Sequence, residues 1–290
     1  PQTIQEPLES SNSLPMMVSG PLAYTGDGMV VAVLDSGFRT THAAFADNGL
    51  ARAPAISQAD VAAFAADGGT PGAYLSARIP FAFDYAGGDR DVSGADDHGT
   101  HVAALAVGCA RDGDGAVVFQ GVAPAAQLLA MKVFPDSGGG QASDAVILRA
   151  LEDALLLGAD VINLSLGADN GFTRDPALER IYGDVFQRLR EAGILVCAAA
   201  GNGGSPVLSR SGTALPSGGY TDYGSVASPG VYEGVLSVAA ADAMVCQESG
   251  CLSAGERTLA YTPAVSETGL DLPGLERLAG QTLPYACLLY

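Results

Sequence analysis

Five short, mostly apolar runs, separated by stretches of helical spacing, constrain this chain more than any other feature in it. Residues 29–34 read Met-Val-Val-Ala-Val-Leu without a polar break before Asp35-Ser36-Gly37 stops them. Leu128 to Val133, Val161 to Leu166, Ile194 to Ala200 and Val235 to Ala240 repeat the pattern. A strand with one wet face alternates apolar and polar residues, whereas a run apolar at every position must be covered on both faces. Strands of this kind joined by helices predict an α/β fold with a mostly parallel sheet and helices on both sides.

The intervening segments carry helix signals. Asp97 is placed to cap a helix from His98 through Val102, Ala103 and Leu105 to Gly108. Ser143 or Asp144 caps a second helix, whose Val146, Ile147, Ala150, Leu151, Ala154 and Leu155 recur three and four apart before Gly158 closes it. Pro176 suits the first turn of a third helix reaching Ala192. Ser205 to Gly230 is rich in Gly, Ser and Pro without periodicity and reads as a long surface loop. From about Glu256 the apolar pattern weakens, and Leu270 to Tyr290 reads as the opening of a further element.

Composition excludes several functions. Against 32 acidic residues stand 14 basic ones, of which only Lys132 is a lysine, leaving a formal charge of −18. Such a surface repels phosphate backbones, so nucleic acid is not an expected partner. No apolar run approaches the roughly 20 residues that span a bilayer. Five cysteines (109, 197, 246, 251 and 287) are too few to build the fold, and their odd number prevents complete internal pairing. Cys246 and Cys251 are close enough to pair across a short turn in an oxidising compartment, and Cys197, in an apolar run, reads as a small core residue.

In open parallel sheets chemistry gathers at the carboxyl ends of the strands. That rule selects Asp35, Ser165 with Gly167, and Gly201-Asn202. The three histidines lie at 42, 98 and 101. His98 and His101, three apart, fit a metal pair on one helix face, a catalytic base with a neighbour, or a helix start and a packed side chain. Asp35-Ser36-Gly37 and Gly201-Asn202-Gly203 are each also ordinary turn chemistry.

Taken in order, these segments are not anonymous. Val31-Ala32-Val33-Leu34-Asp35-Ser36-Gly37, His98-Gly99-Thr100-His101-Val102-Ala103, Asn163-Leu164-Ser165-Leu166-Gly167 and Ala198-Ala199-Ala200-Gly201-Asn202 resemble the subtilisin-like serine proteases. Gly121-Val122-Ala123-Pro124 and the strand to Lys132-Val133 match the same family, over roughly residues 25 to 245. The resemblance implies a triad carboxylate at Asp35, a general base at His98 and an oxyanion donor at Asn202. It implies substrate-binding edges at Gly138, Gly139 and Gly140, at Ser165, Leu166 and Gly167, and at Ala199, Ala200 and Gly201. It implies protein or peptide substrates, no required cofactor, and secretion or attachment to the cell envelope.

The family's nucleophile, in a Gly-Thr-Ser-Met-Ala-type helix start, does not occur in the sequence. Ser211-Gly212-Thr213 has the wrong order, and Ser217 and Ser253 lack the small-residue helix that should follow. Asp222 to Pro229 and Val235 to Ala240 are similar to the lactocepin-like subgroup, which carries a protease-associated domain inserted before its serine. On this reading residues 1–253 are a subtilisin-like catalytic domain lacking its serine-bearing part, and 254–290 lead into the insert. A catalytically silent peptide-binding homologue and a metal-dependent hydrolase using His98 and His101 are the competing classes. Relatives often hold structural calcium in the loop after the histidine helix, which makes Asp112 and Asp114 weak calcium candidates; no bidentate Glu ends that loop.

Overall fold

The computed structural model describes residues 24–46, 54–136, 141–168, 175–201 and 226–238, and the backbone of four strands between 241 and 286. The chain divides into two compact units. Unit one comprises Pro1–Leu166, Asp175–Ala198 and Tyr232–Leu236, and unit two the remainder.

A six-stranded sheet, all of it in unit one but for Ala199, Ser237 and Val238, organises the larger unit. Its strands are β1 (Val30–Asp35), β2 (Phe81–Asp84), β5 (Gln127–Lys132), β6 (Val161–Leu164), β7 (Leu195–Ala199) and β8 (Val235–Val238), in the order β2-β5-β1-β6-β7-β8. The pairs β1–β5, β1–β6, β2–β5 and β6–β7 are all parallel, as the doubly apolar runs require. Every residue of β1, β2 and β5 is buried.

Alternation along β1 assigns the two faces. Val31 and Val33 join a cluster with Ala103, Ala104 and Val107, which lie on α2 (His98–Val107). Ala32 and Leu34, of the other parity, are equally buried, and α3 (Asp144–Leu156) contacts β1. A β-strand turns successive side chains to opposite faces, so Asp35 shares the face of Val31 and Val33, where α2 lies. That parity, set by local sequence, is what brings a strand-end carboxylate to the start of the histidine helix.

Several elements differ in extent from their sequence patterns. β6 ends at Leu164, two residues before the apolar run does, and Ser165 to Gly167 leave the ladder. Helix α1 (Gln58–Ala66), strand β2 and a hairpin of β3 (Cys109–Arg111) with β4 (Val117–Gln120) carry no sequence signal strong enough to name them. The helix predicted from Pro176 is α4 (Pro176–Glu191), capped by Asp175, whose carboxylate accepts from the amides of Ala177 and Leu178. Ser143 caps α3 through the Val146 amide. Cys197 is half-buried in β7 rather than enclosed, and burial pushes its thiol pKa up, away from a reactive thiolate.

In unit two, β9 (Ala241–Cys246), β10 (Cys251–Ala254), β11 (Arg257–Ala260) and β12 (Thr282–Ala286) form an antiparallel sheet in the order β11-β10-β9-β12. Cys246 lies opposite Leu252 in that register. The side chains of Cys246 and Cys251, and most of the predicted 205–230 loop, are outside the described residues. No helix among the described residues is long and apolar enough to cross a membrane.

Candidate functional site

The carboxyl ends of β2, β5 and β1 carry a row of charges on one face: Asp84, Lys132 and Asp35 are neighbours in register. Asp35 is 1% exposed. Its Oδ1 accepts from the Ser36 amide at 2.7 Å and lies 2.7 Å from His98 Nδ1. Its Oδ2 is buried and has no hydrogen-bond partner among the described residues. The His98 side chain is 54% exposed, so the ring joins a buried anion to an accessible surface.

Because Asp35 only accepts, Nδ1 of the neutral ring carries the proton and Nε2 is left as a base. The hydrogen bond to Asp35 raises the His98 pKa above its ordinary value. Burial opposes this, and the charges of Asp35 and Asp96 add to it.

The residue after His98 must be glycine for a steric reason. A Cβ on Gly99 would lie 2.3 Å from the Gly37 carbonyl oxygen and 3.0 Å from Asp35 Cβ, so helix and strand end meet backbone to backbone. Gly99→Ala is therefore expected to destabilise the chain by about 1–3 kcal/mol through overpacking. It should also weaken the downfield Nδ1 proton resonance of His98. A thermal melt and a proton spectrum check both, and a wild-type spectrum in the variant would contradict the close approach.

Thr100 ties the same helix to the segment after β1, its Oγ1 accepting from the Arg39 amide at 2.9 Å. The expected capping by Asp97 is not found. Asp97 occupies the cap position without a side-chain cap bond and instead holds Arg39 Nη2 through both oxygens, at 2.7 and 2.9 Å. A charged guanidinium nitrogen shared by both carboxylate oxygens offers a charge-assisted partner that a single backbone amide cannot match. The preceding carboxylate, Asp96, takes the His98 amide at 3.0 Å.

Beside Asp35, Lys132 is fully buried. Its Nζ bonds Asp84 Oδ2 at 2.6 Å and also Asp136 Oδ1. Asp84 Oδ1 accepts in turn from the amides of Ala86 and Gly87. Sequence reading missed this buried pair, although a lone lysine in an apolar strand was a usable signal.

His101 is exposed one turn along α2, and among the described residues no group of three or more His, Cys, Asp or Glu side chains is placed to hold a metal. Asp112 Oδ1 accepts from the amides of Asp114 and Ala116 and so shapes the β3–β4 turn. Ser165 Oγ is 3.0 Å from Asn163 Nδ2.

Within unit two, Ala168 and Ser228 exchange backbone hydrogen bonds, and a Cβ on Gly167 would lie 2.8 Å from the Ser228 carbonyl oxygen. The Ala200 amide donates to the Val238 carbonyl, and its own carbonyl accepts from the Ala227 amide. Gly201 has φ +104°, a left-handed backbone that favours glycine. Asn202 and the Gly138-Gly139-Gly140 segment fall outside the described residues.

Comparison with known proteins bears on the same segments. The model of the subtilase family, peptidase S8, matches residues 26–274. The chain is 35% identical over 229 residues to the PIII-type proteinase of Lactococcus lactis subsp. cremoris (strain SK11), covering 76% of this chain and 11% of that proteinase. It is 32% identical over 217 residues to the C5a peptidase of Streptococcus pyogenes serotype M3, covering 74% of this chain and 18% of the peptidase. Among solved structures, the S41 psychrophilic protease shares 26% identity with a TM-score of 0.48, over 78% of this chain and 58% of that one. The chain thus spans under a fifth of the length of these two curated relatives.

Proposed function

The chain belongs to the subtilase family, and from that premise we propose that it supplies the Asp–His part of a serine endopeptidase acting on peptide bonds in proteins. The observation that carries this reading is the 2.7 Å contact between the buried Asp35 carboxylate and His98 Nδ1. In that arrangement Asp35 holds the tautomer whose Nε2 accepts the proton of an attacking serine. It also stabilises the imidazolium that forms, which then returns its proton to the leaving amine.

Asn202 is assigned to the developing oxyanion on its motif. Gly138 to Gly140, Ser165 to Gly167 and Ala199 to Gly201 are assigned to the substrate backbone. The serine itself is assigned to a part of the protein outside these 290 residues, since no family nucleophile motif occurs in the sequence. The small share of the matched relatives that the chain spans supports this. Residues 1–253 then belong to the catalytic domain and 254–290 to the lead-in of an inserted one. The same resemblance supports action outside the cell, secreted or on the envelope. The reaction needs no cofactor, and calcium near Asp112 and Asp114 would be structural.

Labelling of the full-length enzyme tests the reading. A fluorophosphonate should modify it and abolish cleavage of an unfolded protein substrate, while a chelator should not stop turnover at once. The opposite pattern would favour metal chemistry at His98 and His101, and absence of both labelling and cleavage would favour a peptide-binding homologue. The 290-residue chain alone is expected to bind peptide without turnover. Because the folded His98 pKa is raised, the neutral base is lost at a higher pH than for free imidazole. The acid limb of kcat/KM should lie correspondingly high.

A further inference from the structure

We propose that Asp96 is a positioning residue of the Asp35–His98 pair, its carboxylate fixing how the imidazole meets Asp35. One oxygen does this. Asp96 Oδ1 accepts from the Ser36 hydroxyl at 2.7 Å and from the His98 amide at 3.0 Å. Ser36 directly follows Asp35, so a single carboxylate oxygen fastens the end of β1 to the first residue of α2. Both donors belong to the members of the pair or their immediate neighbour. The proposal rests on the peptidase reading only for its consequence in turnover.

The Ser36 hydroxyl has one proton and two carboxylates within reach, Asp96 at 2.7 Å and Asp35 Oδ1 at 3.2 Å. The shorter contact takes it. Asp35 Oδ1 is thereby left to the Ser36 amide and the imidazole, and its Oδ2 has no partner among the described residues. Without Asp96 the hydroxyl would be free to turn to Asp35 and compete with His98 for the same oxygen.

Asp96 also acts through its charge. It is the second carboxylate that favours the charged form of His98, after Asp35. Its own pKa is held below the usual carboxylate range by the hydrogen bonds from Ser36 and the His98 amide, so it is ionised wherever His98 titrates. The next carboxylate, Asp97, is held in an exposed pair with Arg39, whose Nη2 donates to both of its oxygens. His101 stands one turn further along α2 and is exposed.

The test reads the histidine rather than the reaction. His98 is titrated by NMR in the full chain as wild type, Asp96→Asn, Asp96→Ala and, for comparison, Asp97→Asn. Asp96→Asn keeps an acceptor oxygen but loses the charge, so the His98 midpoint should move down while the thermal melt stays near wild type. Asp96→Ala should lower the midpoint and also weaken the Nδ1 proton resonance, and Asp97→Asn should move the midpoint less than either. In the full-length enzyme Asp96→Asn should carry the acid limb of kcat/KM to lower pH. A wild-type Nδ1 resonance and midpoint in folded Asp96→Ala overturns the proposal; if that variant fails to fold, an unchanged midpoint in Asp96→Asn overturns it by removing the charge through which Asp96 also acts on His98. A moved midpoint in a protein that no phosphonate labels would sustain the positioning role and remove the peptidase reading instead.

Discussion

Alanine at His98 is expected to lower kcat/KM of the full-length enzyme by roughly 10⁴–10⁶-fold. The size follows from what the ring does in the geometry described. With Nδ1 bound to Asp35, Nε2 is the group available to accept the nucleophile's proton. Removing the imidazole leaves a neutral hydroxyl as nucleophile and strands Asp35, 1% exposed, with a charge that has lost its ionisable partner. His98 is half exposed at a helix start, so the substitution opens no enclosed cavity. His101→Ala is the matched control, being one turn away on the same helix and exposed. Steady-state kinetics with a peptide substrate decide it: near-normal turnover in His98→Ala, or an equal loss in His101→Ala, would refute the assignment.

Replacing Lys132 with Met is expected to destabilise the chain by about 3–5 kcal/mol, the cost of leaving one member of a buried ion pair alone. Lys132 is 0% exposed and Asp84 2%, and Nζ sits 2.6 Å from Asp84 Oδ2. Burial alone would push the ammonium pKa down. The hydrogen bonds to Asp136 and Asp84 and their charges outweigh it, so the net shift is upward. A folded pKa above the unfolded one contributes stability that is complete at neutral pH and is lost only as the pH climbs beyond the usual lysine range. In Lys132→Met the Asp84 carboxylate keeps the amides of Ala86 and Gly87 but loses its counter-charge. The double variant Lys132→Met/Asp84→Asn removes both charges and should recover most of the loss. Denaturant unfolding of the three proteins measures this, and a single variant as stable as wild type would show the pair to be dispensable.

The two expectations differ in how legible their residues were beforehand. Asp35 and His98 stand at a strand end and a helix start, positions that period and turn residues mark within a few residues of sequence. Lys132 was visible as the only lysine, yet nothing nearby in sequence announces Asp84, 48 residues earlier. The same limit shows at the start of the histidine helix, where Asp97 holds the cap position but makes no side-chain cap bond. A local reading gives the cap to Asp97, and only the arrival of Arg39 from beyond the end of β1 decides that this carboxylate turns away to pair with it. Ser36 completes the choice by offering its hydroxyl to Asp96.

By itself, then, the sequence determined the kind of layer each segment enters, because burial on two faces or on one stripe is written in residue spacing. It determined that Asp35 ends a buried strand and that a glycine follows His98. Tertiary structure alone decided the strand order β2-β5-β1-β6-β7-β8, the row of Asp84, Lys132 and Asp35, and the contact across 63 residues between Asp35 and His98. The physical reason is range. Hydrophobic periodicity acts between residues three or four apart, whereas a carboxylate finds its partner only after the parallel register has fixed which strand ends lie side by side.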